Sequence, residues 1–236
     1  MLVLDGVVQL TERDEFLYHE SLVHPALHVH PAPKEVLIIG GGDGGSLREA
    51  LKHKDVKRVL LVEIDRRVIE ASKKFFPTLA EGYQDSRVQV RHLDGAKLLE
   101  RPPRRFDVII VDSTDPVGAA EKLFQTPFFQ AAANALTADG MFVAQSESLL
   151  FHQDLVANVQ KDLSKVFPIV DCYTQPIATY AGNWWTFSIA SKRYNPRRPN
   201  KPLIVPTRLY SLDMHRKAFL PRSVYRRLLA GTLDWG

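Results

Sequence analysis

The spacing of apolar and polar residues changes twice along this chain. Residues 1–18 alternate loosely (Val3, Asp5, Val7, Gln9, Thr11), a period of two that predicts a β-hairpin turning at Asp5-Gly6. Asp14 to His24 then reads as a short helix ended by Pro25. From residue 36 onward short, wholly apolar runs alternate with helical stretches. The strand candidates are Val36–Ile39, Val59–Val62, Val88–Arg91, Val108–Val111 and Met141–Gln145. Helical patterns lie between them, around 45–53, 66–75, 95–99 and 126–136, with Asp139-Gly140 as a helix-to-strand turn. Strands this apolar, separated by helices, imply a parallel sheet covered on both faces. A further helix over Gln153–Val166 precedes two strands, Ile169–Thr174 and Trp184–Ser191, which form a hairpin around Ala181-Gly182-Asn183. Residues 194–236 are rich in Pro and Arg and then weakly helical over 221–229.

The predicted fold class is α/β, with a Rossmann-like nucleoside-binding domain, a mainly parallel seven-stranded sheet and a short N-terminal β-hairpin. Its antiparallel finish departs from a dinucleotide dehydrogenase and suits nucleoside-sulfonium transferases. Residues 1–24 are expected to form a small N-terminal β region, and 25–236 the catalytic domain, with a basic extension from about 192. At 236 residues and 45% hydrophobic content the chain can bury a sizeable core. A single cysteine, Cys172, excludes a disulfide framework within one chain and fits a reducing, cytoplasmic setting. No apolar run approaches the roughly 18 residues of a membrane span, and the N-terminus lacks the pattern of a signal peptide. The net charge of +4 is unevenly placed. Residues 192–236 carry 11 Lys+Arg against 2 Asp+Glu, leaving 20 against 25 in residues 1–191. The body is therefore mildly acidic, which argues against a nucleic-acid partner.

The chemistry starts at Val36-Leu-Ile-Ile-Gly-Gly-Gly-Asp43-Gly-Gly-Ser-Leu-Arg-Glu49. Glycines at a strand-to-helix turn, Gly41 among them, let the backbone approach a nucleoside. A loop built for pyrophosphate gains nothing from an aspartate, because a helix N-terminus already attracts anions. Asp43 therefore either caps its helix or meets a positively charged ligand. Glu63 ends the second strand of the unit about twenty residues on, where an acid can accept hydrogen bonds from ribose hydroxyls; the plain alternative is a polar strand end. Asp94-Gly95 follows the third strand, placed to read an adenine amino group. The fourth ends in Asp112-Ser-Thr-Asp115-Pro-Val-Gly118. Two carboxylates there either stabilise a turn or bind an amine and take its proton. An alkyl ammonium has a pKa near that of lysine, about 10.4, so it must be deprotonated before it attacks.

Taken together, these segments resemble the polyamine aminopropyltransferase (spermidine synthase) family. The resemblance rests on the stretch from Asp5-Gly-Val-Val-Gln9 to Tyr18-His19-Glu20, the Gly-Gly-Gly-Asp43-Gly-Gly loop and Val62-Glu63-Ile-Asp65. Asp112-Ser-Thr-Asp115, Val143-Ala-Gln145-Ser-Glu147 and Ala178-Thr-Tyr180 complete it. It implies transfer of an aminopropyl group from decarboxylated S-adenosylmethionine, the co-substrate, to a diamine, typically putrescine, giving spermidine and methylthioadenosine, with neither a metal nor a bound redox cofactor. By motif position Asp112 is the proton acceptor. Tyr18, His19, Ser113, Thr114, Asp115 and Tyr180 line the amine channel, Asp43 holds the donor's aminopropyl ammonium, and Gln9, Gly41, Glu63, Asp94, Gly95 and Ala119 grip the nucleoside. The resemblance also implies a homodimer or homotetramer.

Two departures stand out. Family members carry a few dozen β-structured residues before the Asp-Gly-Val-Val-Gln segment, most of which this sequence lacks, so its hairpin is expected to expose apolar side chains to a partner. Many also read Val-Gly-Pro where this chain has Val117-Gly118-Ala119, a less rigid turn at the adenine. The alternatives from other classes are an S-adenosylmethionine-dependent methyltransferase on the same fold and a non-catalytic polyamine- or partner-binding relative. The acidic residues at 43, 112 and 115 argue against the methyltransferase, whose neutral acceptors need no acidic channel.

Overall fold

A computed structural model of the chain describes residues 1–4, 6–114 and 118–234, without the side chains of 118 and 119. The N-terminal strands β1 (Leu2–Leu4) and β2 (Val7–Leu10) pair antiparallel, with Gly6 at φ +84° in the turn. Helix α1 (Glu15–Val29) leads into β3 (Glu35–Gly40), α2 (Gly45–Leu51), β4 (Arg58–Val62), α3 (Arg66–Phe75), β5 (Val88–Arg91) and α4 (Gly95–Glu100). Then follow β6 (Phe106–Asp112), a 3-10 turn (Gly118–Phe124), α5 (Thr126–Ala135), β7 (Leu136–Ser148), α6 (Gln153–Ser164), β8 (Ile169–Pro176), β9 (Trp184–Ser191), α7 (Leu212–Ala218) and α8 (Arg222–Ala230). The seven-stranded sheet has the order β5-β4-β3-β6-β7-β9-β8. Its first five strands are parallel, and β9 runs antiparallel between β7 and β8.

The wholly apolar strands serve two cores at once, because alternate residues face opposite sides of a sheet. Val36, Ile38, Val108 and Ile110 pack with Leu22, Leu27 and Leu47 of α1 and α2. Leu37, Ile39, Ile109 and Val111 pack with Leu98 of α4, Phe128 and Phe129 of α5, and Leu163 of α6. The strand order reverses between β3 and β6, so a crevice opens at their C-terminal ends. The glycine loop, Glu63, Asp94 and Asp112 all leave the sheet at this edge. No helix among the described residues is long and apolar enough to cross a membrane.

Three local expectations are corrected. Helix α1 does not stop at Pro25 but carries it in its interior. Proline there cannot donate to the carbonyl of Ser21; the phenol of Tyr173 on β8 donates to that carbonyl instead, at 2.8 Å. Strand β7 begins at Leu136, opposite Phe106, and passes through Asp139-Gly140 with an irregular register rather than starting after it. Helix α7 had no periodic signal strong enough to predict it; it is capped by Ser211, which accepts from the Met214 N–H at 3.1 Å.

Candidate active site

Asp112 is the last residue of β6 and lies in register with Gly40 of β3. A Cβ at Gly40 would come within 2.0 Å of the Asp112 carbonyl, so only glycine lets the two strand ends close together. The Asp112 carboxylate is buried and doubly held. Tyr18 Oη donates to Oδ1 at 2.7 Å, and Ser46 Oγ donates to Oδ2 at 2.7 Å. Its pKa is nevertheless raised: burial and the nearby Asp43 charge outweigh the opposing pull of His19, Ser46 and Tyr18.

Asp43 moves the other way. Burial pushes its pKa up, but the His19 charge and the Gly45 N–H more than offset this. The amide of Gly45 donates to Oδ1 at 2.7 Å, and His19 Nε2 lies 3.2 Å from the same oxygen. Gly45 is required by that ring, since a Cβ there would come within 2.2 Å of it. The two readings of Asp43 in the sequence are thus not exclusive: one oxygen ties down the loop, and the carboxylate still lines the cavity. On its far side His19 Nδ1 lies 2.6 Å from Glu15, and Arg48 donates to both Glu15 oxygens at 2.9 and 3.0 Å. Burial alone would discharge His19, but Asp43 and Glu15 raise its pKa well above 6.5, so the imidazolium is kept. Two carboxylates with pKa values driven apart are the arrangement in which one anchors charge while the other exchanges a proton.

A cavity of about 650 Å³ runs over these groups, lined by Gln9, Tyr18, His19, Gly41, Asp43, Glu63, Asp112, Ser113, Thr114 and Tyr180. The structure therefore brings together residues predicted from five separate segments. Glu63 accepts from the amides of Gly42 (3.2 Å) and Asp65 (2.9 Å). Its pKa is raised mainly by burial, with the Asp112 charge adding to that. Tyr180 donates to the Gln9 carbonyl at 2.7 Å and stands edge-on to Tyr18, with ring centres 5.6 Å apart. Asp94 and Gly95 line an adjoining cavity of about 170 Å³ with Ile39, Leu93 and Leu123. One Asp94 oxygen caps α4 through Ala96, at 2.9 Å, and the other pairs with Lys122. A second extension, of about 370 Å³, is lined by Tyr18, Gln145, Glu147, His152, Tyr180 and Trp185. Asp115 and the side chain of Ala119 lie outside the described residues.

Sequence reasoning missed the groups that hold the acids in place. Ser46 and Arg48 sit on helices and act only through tertiary contacts, so no local spacing marks them; Glu15 stands one turn before His19 on α1, an i,i+4 spacing that could have pointed to it. Gln145 and Glu147 were visible as part of a motif but carried no assigned role. Gln145 donates to the Ser113 carbonyl at 3.2 Å, and Glu147 holds a left-handed backbone, φ 71°. That conformation is costly for a non-glycine residue and concentrates at functional sites.

Comparison with known proteins agrees with this geometry. The model of the spermine/spermidine synthase domain matches residues 15–200. Polyamine aminopropyltransferase 1 of Aquifex aeolicus is 57% identical over 231 residues, covering 98% of this chain and 82% of that protein. The polyamine aminopropyltransferase of Bacillus subtilis is 47% identical over 227 residues, covering 95% and 82%. Among solved structures, a spermidine synthase in complex with the transition-state analogue AdoDATO superposes with a TM-score of 0.89 at 38% identity, covering 97% of this chain and 80% of that one. Spermidine synthase from Thermotoga maritima gives 0.86 at 37% identity, covering 97% and 79%. By fold, site and sequence, the chain belongs to the spermine/spermidine synthase family and is a polyamine aminopropyltransferase.

Proposed function

We propose that the chain transfers the aminopropyl group of decarboxylated S-adenosylmethionine to putrescine, releasing methylthioadenosine and spermidine. The observation that carries this reading is the pair of carboxylates, Asp112 buried and Asp43 partly buried, on one cavity with Glu63 at its nucleoside end. In this reading Glu63 and Gln9 hold the ribose, with Gly41 beneath it. Asp94, Gly95 and Ala119 enclose the adenine, and Asp43 pairs with the donor's ammonium. The amine enters past Tyr18, Tyr180, Ser113, Thr114 and Asp115, with His19 holding Asp43 in place. The extension lined by Gln145, Glu147 and Trp185 supports a place for the distal amine.

Asp112 then receives a proton from the attacking ammonium, the nitrogen lone pair forms the new C–N bond, and the C–S bond breaks as the sulfonium becomes a neutral thioether. Orienting two cations on fixed acids and removing one proton account for the rate. The decisive assay offers decarboxylated donor with putrescine, cadaverine, agmatine and spermidine, and identifies products by mass spectrometry. Spermidine from putrescine should dominate; methyl transfer from S-adenosylmethionine, or no aminopropylated product, would overturn the reading.

We place the reaction in the cytoplasm, in keeping with the lone, buried Cys172. We further propose a homodimer or homotetramer, supported by the exposed apolar Val3 and Val7 on the hairpin, 43% and 48% accessible. Sedimentation at micromolar concentration should return an oligomer, and a monomer would count against it.

A further inference from the structure

Beneath the active site, on the same face of the sheet, α1 and the end of α2 bury three histidines together. His24, His28 and His53 are all under 5% exposed, and each presents a nitrogen within 4.8 Å of the other two. Their outer contacts fix which nitrogens carry hydrogen. Glu49 lies 3.0 Å from His24 Nε2 and also takes charge-assisted bonds from Arg48 and Lys52, at 2.9 and 2.6 Å. With two cations donating to it, this carboxylate serves as an acceptor toward His24. His24 therefore turns Nε2 to Glu49 as the donor, which leaves Nδ1 facing His53 at 2.9 Å. His28 Nδ1 faces the His24 carbonyl at 3.0 Å, another pure acceptor, which leaves the His28 lone pair on Nε2.

We propose that His24, His28 and His53 bind one divalent transition-metal ion, zinc by preference, that clamps α1 to α2. Neutral imidazoles with a carboxylate or carbonyl behind the ring are the outer contacts that metal-bound histidines make. Zinc sits about 2.0–2.1 Å from histidine nitrogens in a tetrahedron, which sets ligand nitrogens about 3.4 Å apart. His24 Nδ1 and His53 Nε2 are already 2.9 Å apart, so that pair opens slightly while the third ring closes in by at most about 1.4 Å. In the unliganded form His53 donates Nε2–H to His24; on binding, that hydrogen moves to Nδ1 of the same ring and no net charge is lost. A cavity of about 100 Å³ lined by His28, His53, Lys52, Asp55 and Lys201 gives an entry path and room for a water as fourth ligand. Of its three lysines, Lys52 pairs with Glu49 and Lys201 with Asp55, and Lys54 also lines it.

Calorimetry of the whole, chelator-treated chain with zinc sulfate tests this, together with the visible spectrum after cobalt(II) chloride. One ion per chain, a tetrahedral cobalt spectrum and a higher Tm are expected from the wild type. His28→Phe keeps an aromatic ring against Tyr210 and leaves the Glu49–His24–His53 bonds in place; it should weaken zinc about 100-fold or more. Asp43→Asn separates this cluster from the other group of metal-ligand type, His19, Asp43 and Asp112, and should leave zinc affinity unchanged. No binding by the wild type, affinity that survives His28→Phe, or affinity lost in Asp43→Asn would each overturn the proposal. If His28→Phe fails to fold, the wild-type stoichiometry and cobalt spectrum together with the affinity of Asp43→Asn still decide it.

Discussion

Asp112→Asn should lower turnover by about 10²–10⁴-fold, the usual cost of losing a positioned general base, while methylthioadenosine binds almost as before. The substitution keeps one oxygen to accept from Tyr18 or Ser46 and preserves volume. What it removes is the site that takes the amine's proton. In the wild type, turnover requires Asp112 ionised, so the rate falls as pH drops through its pKa. Burial and Asp43 hold that pKa above the ordinary carboxylate value, so the acid limb of kcat/KM, which reports the free enzyme, should lie above the range of a solvated aspartate. A variant that keeps more than about a tenth of wild-type turnover would remove Asp112 from the role of acceptor.

Asp43→Asn should weaken the decarboxylated donor by about 10- to 100-fold, because a charge-assisted hydrogen bond contributes roughly 1.5–3 kcal/mol. Methylthioadenosine, which lacks the aminopropyl ammonium, should lose far less. S-adenosylmethionine should bind poorly to wild type and relatively better to the variant, since its own carboxylate would face Asp43. The kinetics carry a second signature. Asp43's charge disfavours ionisation of Asp112, so its removal should move the acid limb of kcat/KM to lower pH. Equal affinity losses for all three ligands by calorimetry, with an unmoved limb, would reduce Asp43 to a loop tie.

Much of this was legible in the sequence because parallel strands buried on both faces must be apolar throughout. Val36–Ile39 and Val108–Val111 therefore announce themselves, and the acids that end such strands stand out by contrast. Asp43, Glu63 and Asp112 are each the first charge after an apolar run or inside a glycine turn. Ser46 and Arg48 escaped because nothing local separates a helix residue facing a carboxylate from one facing water. Pro25 misled for a related reason. Its rule concerns the helix's own hydrogen bonds, whereas the missing donor is supplied from β8, on the far edge of the sheet.

That exchange binds the histories of two distant positions. While proline occupies 25, the phenol of Tyr173 is the donor that satisfies Ser21, and phenylalanine at 173 would strand a buried carbonyl. Once position 25 carries an ordinary amide, the helix can serve Ser21 itself and the hydroxyl becomes dispensable. The same two substitutions are therefore tolerable in one order and damaging in the other, so a lineage can leave the proline solution only by changing the helix first.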